Sequence, residues 1–223
     1  MSTYILWDVD GTLVRNGSDA GNLYHEAVEL AAGQAIPNRL PNTHGKTDGQ
    51  ILRETLAAHG LAEDLHASAS THLDELSRLR HESGNHRELC PGVAAALAAA
   101  AERGWVNSLL TGNSASRSRY KVTGAGVDAD LFDWEHSWFG EVSPIRSELT
   151  RRARAALPGH TLVIVGDTPG DDVAATAAGI PFIAVATGVY PVEDLWETDA
   201  ILVIDDLETG LNELVDAVTA LET

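Results

Sequence analysis

Short apolar runs alternate along this chain with stretches whose apolar positions recur every three to four residues. The runs Tyr4–Trp7, Val106–Leu110, Glu135–Phe139, Leu162–Val165, Phe182–Val185 and Ile201–Ile204 predict strands. Helical periodicity fills most of the gaps, over Val93–Arg103, Ser114–Thr123, Ser147–Leu157, Asp171–Ala178 and Leu207–Leu221. Pro91 precedes one of these helices, and Gly104 and Gly179 close two others. Strands alternating with helices predict an α/β fold with a parallel sheet covered on both faces. The alternation breaks once. Between the first strand and Pro91 the pattern gives only helices, at Gly21–Ala32, Asp48–His59 and Glu63–Glu82. A helical insertion leaving just after the first strand would lie over the carboxyl end of the sheet, where α/β folds bind ligands.

Composition narrows the function classes. A chain of 223 residues with 44% hydrophobic side chains makes one large domain, or a core with a small companion. The longest apolar run, Val93–Ala101, is mostly alanine and too short to span a bilayer. No basic region precedes an apolar stretch at the start, so a secretory signal is not expected. Cys90 is the single cysteine, which excludes an internal disulfide, fits a reducing cytoplasm and reads as a small buried residue. The formal net charge of -18 argues against nucleic acid and anionic lipid as partners. Arg151, Arg152 and Arg154 fall on a predicted helix and read as a solvated face. A small anionic substrate would need a site that makes its own positive field.

Three predicted strand ends carry polar groups suited to chemistry. The first is Asp8-Val9-Asp10-Gly11-Thr12. In extended backbone residues i and i+2 face the same way, so Asp8 and Asp10 can share one small volume. Alone, the segment also reads as a solvated turn with Gly11 supplying the permissive backbone. The second is Thr111-Gly112-Asn113, ahead of a helix opening near Ser114, where backbone N–H groups suit a phosphate oxygen and Thr111 and Ser114 also suit plain capping. The third, Gly166-Asp167-Thr168-Pro169-Gly170-Asp171-Asp172, adds carboxylates that capping by Asp171 alone does not explain. If these ends are neighbours, their mutual repulsion calls for a hard cation with oxygen ligands, and magnesium fits better than zinc because no His or Cys lies in the three segments.

In this order and placement the segments resemble the haloacid dehalogenase-like (HAD) superfamily over almost the whole chain, and most closely its phosphoglycolate phosphatase-like branch, in which Asp-x-Asp-Gly-Thr opens the chain. The resemblance implies a Rossmann-like parallel core, residues 1–14 and 88–223, with a helical cap at 15–87. It implies that Asp8 attacks phosphorus, that Asp10 protonates the leaving group and later activates water, and that neighbouring negative charge keeps Asp10 protonated. Thr111, Gly112 and Asn113 are expected to hold phosphate oxygens. Asp8, Asp10 (through its carbonyl), Asp167 and Asp171 are expected to hold Mg2+, with Asp172 one residue off the usual spacing. An acid at Asp10 favours phosphate esters over halides, because a departing alkoxide needs a proton and a halide does not.

The chain departs from the family pattern at the basic residue. Where many relatives carry Lys-Pro, Ser143-Pro144-Ile145-Arg146 stands here. Something cationic must offset the nucleophile and the transferring phosphoryl group, and Arg146 is chosen. Lys121 is the rival, set aside because a helical rise of ~1.5 Å per residue should carry it away from Thr111. In the insertion, His44-Gly45-Lys46-Thr47-Asp48 lacks the glycine a P-loop needs at Leu40. Similar loops in HAD caps dip toward substrate, making His44 and Lys46 candidate specificity contacts; a glycine turn with Thr47 as helix cap is the competing reading. His81 and His86 lack metal spacing and are expected in solvent. The expected activity is Mg-dependent hydrolysis of a small phosphorylated metabolite through an aspartyl phosphate. A phosphomutase of the same superfamily and a non-catalytic phospho-acceptor domain are the alternatives.

Overall fold

The protein, seen as a computed structural model, is described at residues 1–17, 20–39, 41–141, 143 and 145–222. Leu40 and Pro144, which figure in the motif comparisons above, lie outside them. Six strands, β1 (Thr3–Trp7), β2 (Val106–Thr111), β3 (Trp138–Phe139), β4 (Thr161–Gly166), β5 (Phe182–Val185) and β6 (Leu202–Ile204), form one sheet in the order β3-β2-β1-β4-β5-β6. All pair in parallel. This is the expected α/β Rossmann-like architecture.

Register sets where the site falls. Trp7 stands opposite Leu109 of β2 and Val165 of β4. Asp8 follows Trp7 directly, and Thr111 and Asp167 each lie two residues past its partners, so three strand ends emerge level. The chain leaves β1 for β2 on one side and reaches β4 on the other, which makes this the switch point where α/β sheets open a crevice.

The helices in chain order are α1 (Ala20–Ala32), α2 (Asp48–Ala58), α3 (His66–Glu82), α4 (Val93–Glu102), α5 (Ala115–Gly124), α6 (Arg146–Ala156), α7 (Pro169–Thr176), α8 (Val192–Leu195) and α9 (Leu211–Ala220). Strand side chains alternate between the two helical layers. Ile5, Trp7, Leu109, Val163, Val165 and Ile183 pack with Leu97 of α4, Val122 of α5 and Leu214 of α9. Tyr4, Leu6, Leu110, Ile164 and Phe182 pack on the other face with Leu149 of α6, Ala175 of α7 and Leu195 of α8. Helices α1, α2 and α3 build a separate cluster from Leu23, Tyr24, Val28, Ile51, Leu52, Leu56 and Leu73. The two crossings to this bundle run side by side, with the Arg15 amide donating to the Glu88 carbonyl at 2.8 Å and the Cys90 amide to the Leu13 carbonyl at 3.0 Å.

Several expected boundaries move for local reasons. The strand expected over Glu135–Phe139 shrinks to Trp138–Phe139, because Asp133 Oδ1 accepts both the Glu135 and His136 amides at 3.1 Å and turns the chain there. The helix expected from Glu63 begins as a 3-10 turn at Glu63–Leu65 before α3. Helix α7 starts at Pro169 rather than Asp171, with Thr168 as N-cap, Asp171 completing a capping box and proline at a position that needs no amide. Helix α9 starts at Leu211 rather than Leu207; Asp206 Oδ1 takes the Glu208 and Thr209 amides and holds a turn instead.

Candidate active site

The level strand ends bring Asp8, Asp167 and Asp171 together. All three are buried, and each offers an oxygen within 4.8 Å of the others. Asp167 is seated by what its neighbours lack: a β-carbon on Gly188 would lie 1.7 Å from its Oδ2, and one on Gly11, whose φ is +82°, 2.2 Å. Its Oδ1 accepts the Thr12 hydroxyl at 3.2 Å. Asp171 serves twice. Its Oδ2 accepts the Thr168 amide at 3.0 Å and hydroxyl at 2.8 Å, and its Oδ1 faces the cluster. Asp172 is not part of this cluster.

Arg146, buried at the first turn of α6, neutralises part of this charge. Its Nη2 lies 2.9 Å from Asp8 Oδ1 and 2.5 Å from Asp171 Oδ1, and it donates to the Leu110 carbonyl at 3.2 Å. One cation does not balance three carboxylates. Burial, with Asp171 and Asp10 nearby, pushes Asp8 up to about 6 against the pull of Arg146. Burial and the charges of Asp8 and Asp171 push Asp167 well above its ordinary value. The donor set is hard oxygen throughout and carries surplus negative charge, so it fits a divalent cation such as Mg2+.

Asp10 faces a different environment from the one expected. Burial favours its neutral form, but the Lys121 ammonium, the Asn113 amide and the more distant Arg117 hold it down to about 2. Lys121 Nζ lies 2.5 Å from Asp10 Oδ2 and 2.6 Å from Asn113 Oδ1, and Asn113 Nδ2 donates to the same Asp10 oxygen at 2.8 Å. The expected separation of Lys121 therefore does not occur. Rise along the axis places its backbone away from Thr111, but helical side chains lean toward the N-terminus and a lysine stem spans the rest. Both candidate cations are in the site, one on each aspartate of Asp8-Val9-Asp10.

Thr111 is fully buried, and its Oγ1 accepts Asn113 Nδ2 at 2.9 Å. Ser114 caps α5 by accepting the Arg117 amide at 3.2 Å, so the capping reading of this residue holds. The strand ends open into a cleft of about 980 Å³ including its mouth, lined by Asp8, Asp10, Thr111, Gly112, Asn113, Lys121, Arg146 and Asp167 on the sheet side. His44 and Lys46 line it from the insertion; His44 is exposed, and Lys46 Nζ pairs with Glu54 Oε2 at 2.5 Å. Thr47 also caps α2, accepting the Gln50 amide at 3.1 Å. His81 and His86 also line the cleft: His86 is exposed to solvent as expected, whereas His81 is half-buried and stacked on Tyr120 at 5.3 Å between ring centroids. Sequence reading missed Arg117 and Tyr24, both buried in the same wall. An arginine in the first turn of a polar helix gave no signal, because nothing local shows which partner it meets.

A parallel sheet with clustered carboxylates at its switch point defines a Rossmann-like hydrolase core. The sequence profile described as haloacid dehalogenase-like hydrolase matches residues 5–175, and one described as HAD-hydrolase-like matches residues 146–209. The chain belongs to the haloacid dehalogenase-like hydrolase family. It is 30% identical over 201 residues to a protein of Cereibacter sphaeroides named phosphoglycolate phosphatase, covering 86% of this chain and 89% of that one. The fold is shared with a HAD hydrolase, family IA, variant 3, from Entamoeba histolytica, at a TM-score of 0.70 and 18% identity over 98% of this chain and 100% of that one. It is shared too with CbbY from Rhodobacter sphaeroides, solved in complex with phosphate, at a TM-score of 0.64 and 18% identity over 94% and 96% of the chains. Among the described residues no helix is long and apolar enough to cross a membrane.

Proposed function

We propose that the protein is a Mg2+-dependent phosphatase that hydrolyses a small phosphomonoester through an aspartyl phosphate. The observation that carries this reading is the convergence of buried Asp8, Asp167 and Asp171 around Arg146, where the strand ends open into one cleft. The name of the Cereibacter sphaeroides relative places phosphoglycolate first among the substrates to try. We take residues 1–14 and 88–223 as the catalytic core, 15–87 as the cap and the cytoplasm as the setting.

Asp8 Oδ attacks phosphorus as the bond to the ester oxygen breaks, and Asp10 gives its proton to the departing alkoxide. Asp10 then takes a proton from water, which attacks the aspartyl phosphate; phosphate leaves and the Asp8 carboxylate is restored. The grip of Lys121 keeps Asp10 ionised in the resting site. An arriving phosphate dianion both raises the Asp10 pKa by like charge and competes for Lys121, so the proton settles on Asp10 when it is needed. Arg146 orients Asp8 and offsets phosphoryl charge, while Thr111 and the Gly112 and Asn113 amides hold the outer oxygens. Asp8, Asp167, Asp171 and the Asp10 carbonyl would hold the magnesium ion, which supplies charge neutralisation for the transferring group.

The test is phosphate release from a panel of phosphorylated metabolites, with Asp8→Asn as control. Stoichiometric release by the wild type and none by the variant is expected. Equal turnover in both would sink the mechanism, and transfer of phosphate to a second position of the substrate would mark a mutase.

A further inference from the structure

The first turn of α2 meets the core through backbone. The Asp48 amide donates to the Gly112 carbonyl at 2.7 Å and the Gly49 amide to the Gly140 carbonyl at 3.1 Å. The Thr47 hydroxyl donates to the Ser143 carbonyl at 2.7 Å. Glycine permits this approach: a β-carbon on Gly112 would lie 2.2 Å from the Lys46 carbonyl oxygen, and one on Gly140 2.2 Å from that of Gly112.

The Asp48 side chain grips the same loop at its other end. Its Oδ2 accepts the Ser114 amide at 2.8 Å, while its Oδ1 accepts the Tyr24 hydroxyl at 2.7 Å and pairs with Arg117. Arg117 also donates to Ser77 Oγ at 3.0 Å and Tyr24 OH at 3.1 Å. All three helices of the insertion thus converge on one arginine of α5. Asp48 and Arg117 expose 4% and 2% of their side chains. Across a trans peptide the C=O and N–H point in opposite directions. Tying the Gly112 carbonyl to α2 therefore turns the Asn113 amide the other way, toward Thr111 Oγ1 at 3.4 Å.

We propose that Asp48 and Arg117 form a latch through which the cap positions the loop Thr111–Ser114, so that the anion cradle is assembled only when the cap is seated. The proposal rests on reading that loop as the phosphate cradle. A buried ion pair suits a reversible latch, because the attraction gained on closing is largely offset by the water each charge gives up. Asp48 and Arg117 are positioning residues that act through the loop.

The test is amide hydrogen exchange on the full chain, together with steady-state kinetics, for Asp48→Asn, Arg117→Lys and Tyr24→Phe. Arg78→Ala, which removes two exposed ion pairs on α3, is the control and leaves both readouts unchanged. In Asp48→Asn and Arg117→Lys, the amides of residues 48, 49 and 114 exchange together about tenfold faster, while those of β1 and β4 stay protected. In the same variants kcat falls about tenfold and KM moves less than about twofold. Tyr24→Phe, which removes only a hydroxyl, shifts the same amides in the same direction and covers the case in which Asp48→Asn unfolds. Unchanged exchange at those amides in Tyr24→Phe and Arg117→Lys overturns the latch, as does loss of protection spread evenly into β1 and β4. Should the wild type release no phosphate while these amides still open together, the latch stands and the phosphatase reading falls.

Discussion

Lys121 Nζ sits 2.5 Å from Asp10 Oδ2, so the second aspartate of the opening motif rests as a lysine-bound carboxylate. The first aspartate, Asp8, is bound instead by Arg146 at 2.9 Å. Two acids two residues apart are thereby given opposite tendencies, Asp10 held at about 2 and Asp8 pushed up to about 6. Separation of this kind is what lets neighbouring carboxylates take different parts in one reaction.

Lys121→Met should free Asp10 from that grip. Burial then acts with less opposition, and the Asp10 pKa rises from about 2 to above the ordinary carboxylate value. Because the folded-state pKa of Asp10 lies below its unfolded value, its contribution to stability is present above about pH 4 and fades as pH falls toward 2. That part of the acid-denaturation slope disappears in the variant. Carboxyl-carbon NMR titration of Asp10 and acid unfolding curves measure both; an Asp10 pKa still near 2 would show that Lys121 is not what holds it.

Asp8 has the opposite sign. Its folded-state pKa lies above the unfolded value, so without metal its contribution falls as pH rises from about 4 through 6. Metal-free protein in chelator should therefore melt at a higher temperature in the Asp8→Asn form than in the wild type at pH 7, although that variant lacks the proposed nucleophile. A difference of about 1–3 kcal/mol is expected from a shift of this size. On the proposed Mg2+ site, adding Mg2+ should raise the wild-type melting temperature more than that of the variant, since an ion held by the folded state would relieve the same repulsion. Scanning fluorimetry with and without Mg2+ reads this directly.

How much of this was legible follows from how far each feature reaches. Ile164 and Phe182 announce buried strands from local pattern alone, and parallel pairing then forces Asp8, Thr111 and Asp167 to emerge together. The site's acids could thus be named before any coordinate. Lys121 and Arg117 could not be placed so, because periodicity gives a residue's helical face and says nothing of the gap its side chain must cross. Nor does any local pattern show that Gly112 and Gly140 let another backbone approach to within hydrogen-bonding distance. The strand expected from Glu135 does not begin there because the side chain of Asp133 turns the chain, a contact that no apolar pattern displays.

Gly188→Ala tests whether Asp167 is held by shape. The added methyl would stand 1.7 Å from Asp167 Oδ2, so the carboxylate must swing away from Asp8 and Asp171. Metal affinity should fall about 10–100-fold, the range seen when a ligand's support is removed. Excess Mg2+ should recover part of the activity, which a defect confined to phosphate binding would not allow. Titrating activity against Mg2+ separates the two.

Arg146 is the most exacting case because it bridges Asp8, Asp171 and the Leu110 carbonyl at once. Arg146→Met leaves two buried carboxylates without their cation, and an unpaired buried charge costs about 3–5 kcal/mol. Turnover should fall about 100–1000-fold, as when a preorganised electrostatic group is lost. Arg146→Lys keeps the charge but replaces a planar fork with a point charge on a shorter reach, so it cannot hold all three partners. Its stability should lie between wild type and Arg146→Met, and its kcat should recover more than its melting temperature if charge at the phosphoryl group matters most. If Arg146→Met kept full turnover after correction for the folded fraction, Lys121 alone would supply the site's cation, and Arg146 would be a structural tie between α6 and the sheet.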